Sequence, residues 1–164
     1  MRFESTIDYP ADVETVATML ADERFATRKM DAAGALSSSS EVTRDGEAFT
    51  VTTRSQMPTT KIPPAFRSLV GDSLEVIVVE AWGAPEADGS RTSTFGLEIV
   101  GAPVNVEGSQ RLVPTADGCT ETYSGEVHAS VPLVGRRIEK TAVDTVDKVV
   151  AVERRLGLEH LRQA

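Results

Sequence analysis

The sequence predicts an α+β domain in which an antiparallel sheet of seven strands curves around one long C-terminal helix. Three patterns lead to this prediction. Polar and apolar residues alternate at the start of the chain, Asp-Gly pairs separate strand-like segments in the middle, and helical periodicity runs from Gly135 almost to the end. With 164 residues, no internal repeat and no linker-like stretch, the chain is expected to form one domain, residues 1–164.

The N-terminal part of the chain predicts one strand followed by two short helices. In residues 2–9, apolar and polar side chains alternate as they do in a half-buried strand, and Pro10 ends it. Apolar residues then recur at helical spacing over 11–21. Asp22 is suited to cap a second helix, which ends at Gly34.

The middle of the chain predicts six further strands joined by turns. Asp-Gly pairs readily adopt the left-handed conformations of tight hairpins. They stand at residues 45–46, 88–89 and 117–118. The predicted strands are residues 36–44, 47–56, 73–83, 91–100, 103–113 and 119–131.

The segment 57–71 interrupts this series of strands. Its prolines argue against a central strand, and Pro64 to Val70 can hold a helical turn or two. A long proline-containing loop that carries Lys61 and Arg67 can act as a lid over a cavity. A rigid connector explains the same prolines, so both interpretations stay open.

The last part of the chain predicts one amphipathic helix over 136–161, with Gly157 as a weak point near its end. Its apolar stripe centres on Val146, and Glu139 and Glu153 both fall within roughly 20° of that centre. An acid that faces an apolar interior must be neutralised, hydrogen-bonded or solvated. Either glutamate can therefore anchor a ligand or transfer a proton. They cannot share a proton with each other, because about 21 Å of helix separates them.

Each of the two glutamates also has a purely structural explanation. Glu139 lies in the first turn of the predicted helix, where a carboxylate stabilises exposed amide groups. Glu153 lies near the other end, where it can reach water or pair with an arginine.

Composition and charge exclude several classes of function. Asp and Glu total 25 against 17 Lys and Arg, a formal net charge of −8, so binding to nucleic acid or to an anionic membrane is not expected. No apolar segment approaches the roughly 20 residues that span a bilayer, and no secretory signal is evident, so a cytoplasmic protein without membrane insertion is expected.

Cysteine and histidine, the usual zinc ligands, are few in this sequence. Cys119 is the only cysteine, so an internal disulfide or a cysteine-based zinc site cannot form, and its place beside a turn predicts a solvated thiol. His128 is expected on the outer surface of a strand and His160 at a frayed chain end. No metal and no cofactor are therefore expected.

Short motifs of Pro and Gly mark the loops and the start of the last helix. They are Met57-Pro58, Ile62-Pro63 and Val70-Gly71, then Gly101-Ala102-Pro103-Val104, Gly108 and Leu112-Val113-Pro114, then Val131-Pro132-Leu133-Val134-Gly135 and Ile138-Glu139. In these motifs the chain resembles an actinobacterial family catalogued as domain of unknown function 2505. That family lies within the helix-grip, START-like superfamily, which also includes birch-pollen-allergen-like proteins and polyketide cyclases and aromatases.

The resemblance covers nearly the whole chain and implies a cavity for a hydrophobic ligand between sheet and C-terminal helix. We therefore expect the protein, as a monomer or weak homodimer, to bind a small hydrophobic molecule such as a lipid, a polyketide or an isoprenoid-like compound. The residues expected to contact it are Phe49, Val51, Trp82, Phe95, Leu97, Val106, Gln110, Tyr123, Val127, Glu139, Val146, Val149 and Glu153.

Two other functions remain open at this point. No catalytic constellation is recognised, but a cyclase-, aromatase- or hydrolase-type enzyme could use the same cavity, with Glu153, Tyr123 or Gln110 handling protons. The other alternative is a protein-interaction module with a filled interior. For Trp82, burial in the core is the default explanation, and a place at a cavity mouth is the alternative.

Overall fold

The structure, a computed structural model, describes residues 1–60, Ile62, Pro64, Arg67 and residues 70–163. Its elements are, in chain order, β1 (Arg2–Tyr9), α1 (Val13–Leu20), α2 (Glu23–Ala32), β2 (Ser37–Asp45), β3 (Ala48–Pro58), β4 (Ser73–Trp82), β5 (Arg91–Ile99), β6 (Val104–Pro114), β7 (Cys119–Ala129) and α3 (Gly135–Arg162). The lid and the helical turn predicted within 57–71 fall largely on residues outside the described ones.

Over the described residues, the strands form one antiparallel sheet of seven strands in the order β1-β7-β6-β5-β4-β3-β2. The meander from β2 to β7 and the final helix confirm the predicted helix-grip fold. Gly46 and Gly89 have φ values of 60° and 84°, as the Asp-Gly turns require. Gly118 is needed for a different reason, because a Cβ there would collide with the backbone carbonyl of Tyr9.

The first two helices begin where the sequence provides capping side chains. Asp12 accepts a hydrogen bond from the N–H of Thr15 at 2.8 Å, so α1 starts after Asp12 and not at residue 11. Asp22 accepts from the N–H of Arg24 at 2.8 Å and caps α2 as predicted. The buried residues of α2 lie on one face and include Lys29.

The inner face of the sheet is interrupted by two glycines that lie directly opposite each other, Gly108 on β6 and Gly125 on β7. Phe3 and Phe95 flank them on the neighbouring strands. A Cβ on Gly125 would lie 2.6 Å from Cζ of Phe3, and one on Gly108 would lie 3.0 Å from Cε1 of Phe95. The two phenylalanine rings therefore cover the glycine pair, with their centroids 6.2 Å apart.

The helix α3 packs against β1, β7 and α2. Its C-terminal half is closed, since Val150 and Leu156 are buried. Gly157 is not merely a weak point, because a Cβ there would lie 2.7 Å from Cε1 of Tyr9. Glycine thus lets α3 approach β1 closely. In contrast, Val146 in the N-terminal half is only half-buried.

The prediction of a solvated thiol at Cys119 is wrong. This residue begins β7, lies directly opposite Tyr9 and is 1% exposed. Burial raises the pKa of Cys119 to about 11, and the nearby Glu121 adds to the shift. His160 does not fray, since its ring packs edge-on against Phe25 with centroids 5.9 Å apart. His128 lies on the outer surface as expected.

Candidate functional site

A cluster of buried polar side chains occupies the interior between the middle of the sheet and the C-terminal half of α3. Each of its members is at most 9% exposed, which is unusual for ionisable groups. We define the buried polar cluster as Tyr9, Lys29, Glu80, Ser93, Gln110, Glu121, Tyr123 and Glu153.

Glu153 of α3 is the centre of one half of this cluster. The Nζ of Lys29 donates to Oε2 of Glu153 at 2.7 Å, and the hydroxyl of Tyr123 lies 2.8 Å from both carboxylate oxygens. The hydroxyl of Tyr9 donates to Oε1 at 3.4 Å. Burial, reinforced by the neighbouring carboxyl groups, raises the pKa of both tyrosines, so they remain hydrogen-bond donors.

Gln110 of β6 is the centre of the other half. Its Nε2 donates to Oε1 of Glu80 at 3.0 Å and to Oε1 of Glu121 at 3.3 Å. Its own Oε1 accepts from the hydroxyl of Ser93 at 2.7 Å. Sheet register explains the arrangement, because Ser93, Gln110 and Tyr123 lie opposite one another on β5, β6 and β7.

The pKa values of two buried carboxyl groups, Glu153 and Glu121, are shifted in opposite directions. Burial alone would raise the pKa of Glu153, but the ammonium group of Lys29 and the hydrogen bonds to the carboxylate together outweigh burial and lower it. Burial raises the pKa of Glu121 well above its ordinary value, and the charge on Glu153 adds to the rise. The pKa of Lys29 is also raised, because its two carboxylate neighbours, Glu153 and Glu80, outweigh the effect of burial.

The raised pKa of Glu121 favours the protonated form of its carboxyl group. Its Oε2 is buried and accepts no hydrogen bond among the described residues. The pKa shifts of Glu121 and Glu153 are each caused in part by the other carboxyl group, and two carboxyl groups can hydrogen-bond only when one of them is protonated. A protonated Oε2 of Glu121 that donates to the Glu153 carboxylate is consistent with the buried position of that oxygen and with the direction of both shifts.

A second set of side chains, from β5 and the N-terminal half of α3, is apolar. Its side chains point inward and pack against the core but stay half-buried. We define the apolar hollow as Phe95, Leu97, Ile99, Ile138, Ala142, Val143 and Val146. The rings of Phe95 and Tyr123 lie 6.0 Å apart, edge to face, and mark the border between hollow and cluster.

The structure distributes the predicted ligand-contacting residues over several places. Gln110, Tyr123 and Glu153 belong to the cluster, as described above. Phe95, Leu97 and Val146 belong to the hollow, with Val106 and Val127 buried in the same row of the sheet as Leu97 and with Val149 half-buried on α3. Whether these residues contact a ligand remains a prediction.

Three predicted residues lie in closed core instead, away from the hollow. Phe49 and Trp82 are opposite each other on β3 and β4 and stack with centroids 6.2 Å apart. The guanidinium of Arg91 lies 5.9 Å from the Phe49 ring, and Val51 is 1% exposed. Trp82 is 2% exposed, as burial in the core predicts.

Glu139 joins the start of α3 to the end of β7. Its Oε1 accepts from the backbone N–H of Ala129 at 3.1 Å, and its Oε2 lies 3.7 Å from the N-terminal amine. This corrects the expectation that Glu139 caps its own helix. The bond from Ala129 lowers the pKa of Glu139.

Five members of the cluster were not predicted as site residues, although the sequence pattern indicates that some of them face inward. Glu121 lies two residues before Tyr123, at an inward position of β7. Lys29 lies four residues after Phe25, on the buried face of α2. Alternation and helical spacing indicate that both face inward, but they do not indicate which partners they meet. The other three are Tyr9, Glu80 and Ser93.

The described residues contain neither a metal-binding group of side chains nor a helix that could cross a membrane. No three His, Cys, Asp or Glu side chains in this part of the chain are placed to hold a metal ion. None of the described helices has the length and apolarity that crossing a membrane requires.

Comparison of sequences finds relatives without an assigned activity. A sequence-family model described as protein of unknown function (DUF2505) matches residues 4–161. The chain is similar to the uncharacterized proteins Rv0481c of Mycobacterium tuberculosis and Mb0491c of Mycobacterium bovis. Each is 27% identical over 113 residues, which is 68% of this chain and 64% of the relative. The match thus spans less than two thirds of those relatives.

Comparison of structures finds the same fold at low sequence identity. The protein TTHA0849 from Thermus thermophilus has a TM-score of 0.60 at 16% identity and covers 98% of this chain and 97% of its own. A START superfamily protein from Mycobacterium smegmatis has a TM-score of 0.59 at 14% sequence identity, and the match covers 98% of both chains. A STAR-related lipid transfer protein from Xanthomonas axonopodis has a TM-score of 0.54 at 19% sequence identity, and the match covers 93% of this chain and 84% of that protein.

Proposed function

Because this chain belongs to the DUF2505 family and has a START-like helix-grip fold, we propose that it binds a small molecule with an apolar body in the apolar hollow. One observation carries the proposal. Apolar side chains that point into the fold, from both the sheet and α3, are left half-buried.

The two halves of α3 differ in how they meet the sheet. Val150 and Leu156 in the C-terminal half are buried, whereas Ile138 and Val143 in the N-terminal half keep contact with solvent. A ligand that covers this surface removes apolar area from water, at about 25 cal/mol per Å². The fold therefore gains most from a ligand that is itself largely apolar.

The border of the hollow limits the polar groups that such a ligand can carry. Tyr123 already donates its proton to Glu153, so its oxygen is left as an acceptor. A single hydroxyl or amine at one end of the ligand can donate to it, while Phe95 contacts the adjoining apolar part. Lipids, isoprenoid-like compounds and polyketides have this chemistry. The lipid-transfer protein of the same fold supports a lipid in particular.

Native mass spectrometry tests the proposal directly. The protein is purified without detergent, and bound mass is recorded before and after addition of hexadecanol or farnesol, each of which has one hydroxyl at the end of an apolar chain. Val146→Trp fills the hollow and is expected to abolish binding while the protein stays folded. Lys148→Trp places the same ring on the exposed side of the helix and is expected to bind normally. If no probe binds, or if both variants bind equally, the hollow is not a ligand site.

Acid–base catalysis on a ligand in the same hollow is a second candidate, favoured by the Glu121–Glu153 pair. When the surroundings raise the pKa of one carboxyl group and lower the pKa of its neighbour, the first can act as an acid and the second as a base. Loss of turnover in Glu153→Gln with binding retained supports this role. Unchanged turnover in that variant argues against it.

A further inference from the structure

The outer face of the sheet carries an apolar strip that the fold does not cover. This face is otherwise polar, as expected for the solvated side of an antiparallel sheet. On β4, however, Ile77, Val79 and Ala81 point outward, and Val79 is 39% exposed. Isolated exposed apolar residues are common, so this strip alone does not indicate a function.

A groove of about 540 Å³ runs across the outer face beside this strip, from β4 to β7. β4 contributes apolar side chains to its lining, whereas β5, β6 and β7 contribute three glutamates together with Asn105 and His128. We define the outer groove by the residues that give it this character, Ile77, Val79, Gly96, Glu98, Glu107 and Glu126.

Gly96 keeps the floor of the groove open. It lies in the middle of β5, between Val79 of β4 and Glu107 of β6. Glycine inside a strand weakens it, and it often marks a place where another backbone comes close. Gly108 and Gly125 are required by packing, but a Cβ on Gly96 would have no atom within 4 Å. Packing within the described chain therefore gives no reason for glycine at this position.

The glutamates of the groove are unfavourable for the isolated protein. Glu107 and Glu126 lie directly opposite each other on β6 and β7, and like charges in that arrangement are destabilising. Among the described residues, neither they nor Glu98 form an ion pair. Basic residues border this face: Arg2 lies opposite Glu126, and Arg54 lies opposite Ile77 but pairs with Glu75 at 3.5 Å. His128 lines the groove itself and lies 4.0 Å from Glu139.

We propose that the outer groove docks a basic, extended segment of a partner protein. The absent Cβ of Gly96 admits the backbone of that segment, an apolar side chain covers Val79, and Lys or Arg side chains meet Glu107 and Glu126. The formal net charge of −8 attracts such a partner and repels nucleic acid. This inference uses the opposite side of the sheet from the hollow and does not depend on the proposed ligand.

A labelled peptide of alternating Leu and Lys tests the inference by fluorescence anisotropy, with an alternating Leu-Glu peptide as the control. The basic peptide is expected to bind and the acidic one is not. Gly96→Val fills the groove and should leave the melting temperature unchanged or higher, because the site has space for the side chain. It is expected to weaken binding about ten-fold or more.

The double variant Glu107→Gln/Glu126→Gln is expected to weaken binding by a similar factor. Asp45→Asn/Glu47→Gln, in the exposed β2–β3 turn, changes the net charge equally and serves as its match. Equal losses in both double variants mean non-specific attraction and overturn the proposal. So does a folded Gly96→Val that binds normally, or a groove occupied by a second copy of the chain, seen as a dimer that Gly96→Val abolishes.

Discussion

The Nζ of Lys29 lies 2.7 Å from Oε2 of Glu153, although 124 residues separate them in the chain. The same Nζ lies 3.8 Å from Oε1 of Glu80. One buried ammonium group therefore joins α2, α3 and the sheet, and it is the cation of a cluster that holds three carboxyl groups. Neutralising Glu121 by a proton reduces the excess of negative charge in the interior.

Removal of this ammonium group is expected to be strongly destabilising. Lys29→Met keeps the apolar stem but leaves Glu153 buried without a cation, which costs about 3–5 kcal/mol in the free energy of unfolding. Urea denaturation at pH 7 measures it. Adding Glu153→Gln should recover part of the loss, because the carboxylate that pairs most closely with Lys29 is then replaced by a neutral amide.

Arg28 provides the matched control for Lys29. It is the neighbouring residue and pairs with Glu159 at 3.8 Å, but both side chains are about half exposed. Arg28→Met should therefore cost no more than about 1 kcal/mol. Similar losses for the two variants would show that the buried pair contributes no more than a surface pair.

The proton on Glu121 predicts a specific pH dependence. In the unfolded chain Glu121 loses its proton near its ordinary pKa of 4.5, whereas the folded protein retains it well above that value. As pH rises through this window, folding must take up a proton, so the contribution of Glu121 to stability falls by about 1.4 kcal/mol per pH unit.

Glu121→Gln removes this titration and keeps an amide that can hydrogen-bond. Relative to the wild type, its free energy of unfolding should rise by about 1.4 kcal/mol per pH unit above the ordinary pKa of a glutamate, for as long as the folded protein keeps Glu121 protonated. Urea denaturation at several pH values gives the slope. Glu126→Gln, on the outer face of the same strand, controls for loss of a carboxyl group. Parallel curves for Glu121→Gln and wild type would contradict a protonated Glu121.

Alanine usually stabilises a helix more than glycine does, but at residue 157 we expect glycine to be the more stabilising of the two. At the exposed Ala151 of the same helix, Ala→Gly should cost about 1 kcal/mol. At Gly157, Gly→Ala should also destabilise, by about 1–3 kcal/mol, because the added methyl overlaps the ring of Tyr9. Thermal unfolding of both variants tests this, and a higher melting temperature for Gly157→Ala would show that α3 does not approach β1 so closely.

Leu133 stores backbone strain just before α3. Its φ is 68°, a left-handed conformation that costs a non-glycine residue about 1–2 kcal/mol, and its side chain is fully exposed. Leu133→Gly should stabilise the protein by up to about 1 kcal/mol, and Leu133→Val should destabilise it. Chemical denaturation gives the order. A loss of stability in Leu133→Gly would mean that the leucine side chain makes a stabilising contact.

Much of the fold follows from local patterns. The alternation of apolar and polar residues, together with the turn residues, predicts the bounds of the seven strands to within a few residues. Both patterns are visible in the sequence because they depend only on neighbouring residues. The family indicated by the Pro and Gly motifs is confirmed over residues 4–161. The inward direction of Tyr123 and Glu153 also follows from strand and helix periods. Cys119 was misplaced because its adjacent turn suggested exposure, while the strand that it begins buries it.

The sequence by itself determined the order of the elements, the side of each strand that faces inward and the acid within the apolar stripe of the last helix. Only the tertiary structure decided that Lys29 and Glu121 meet that acid, and that α3 closes over one half of the sheet and not the other. Periodicity repeats over a few residues and is visible locally. The pairing of buried charges depends instead on distances between elements far apart in the chain, which are fixed only when those elements pack.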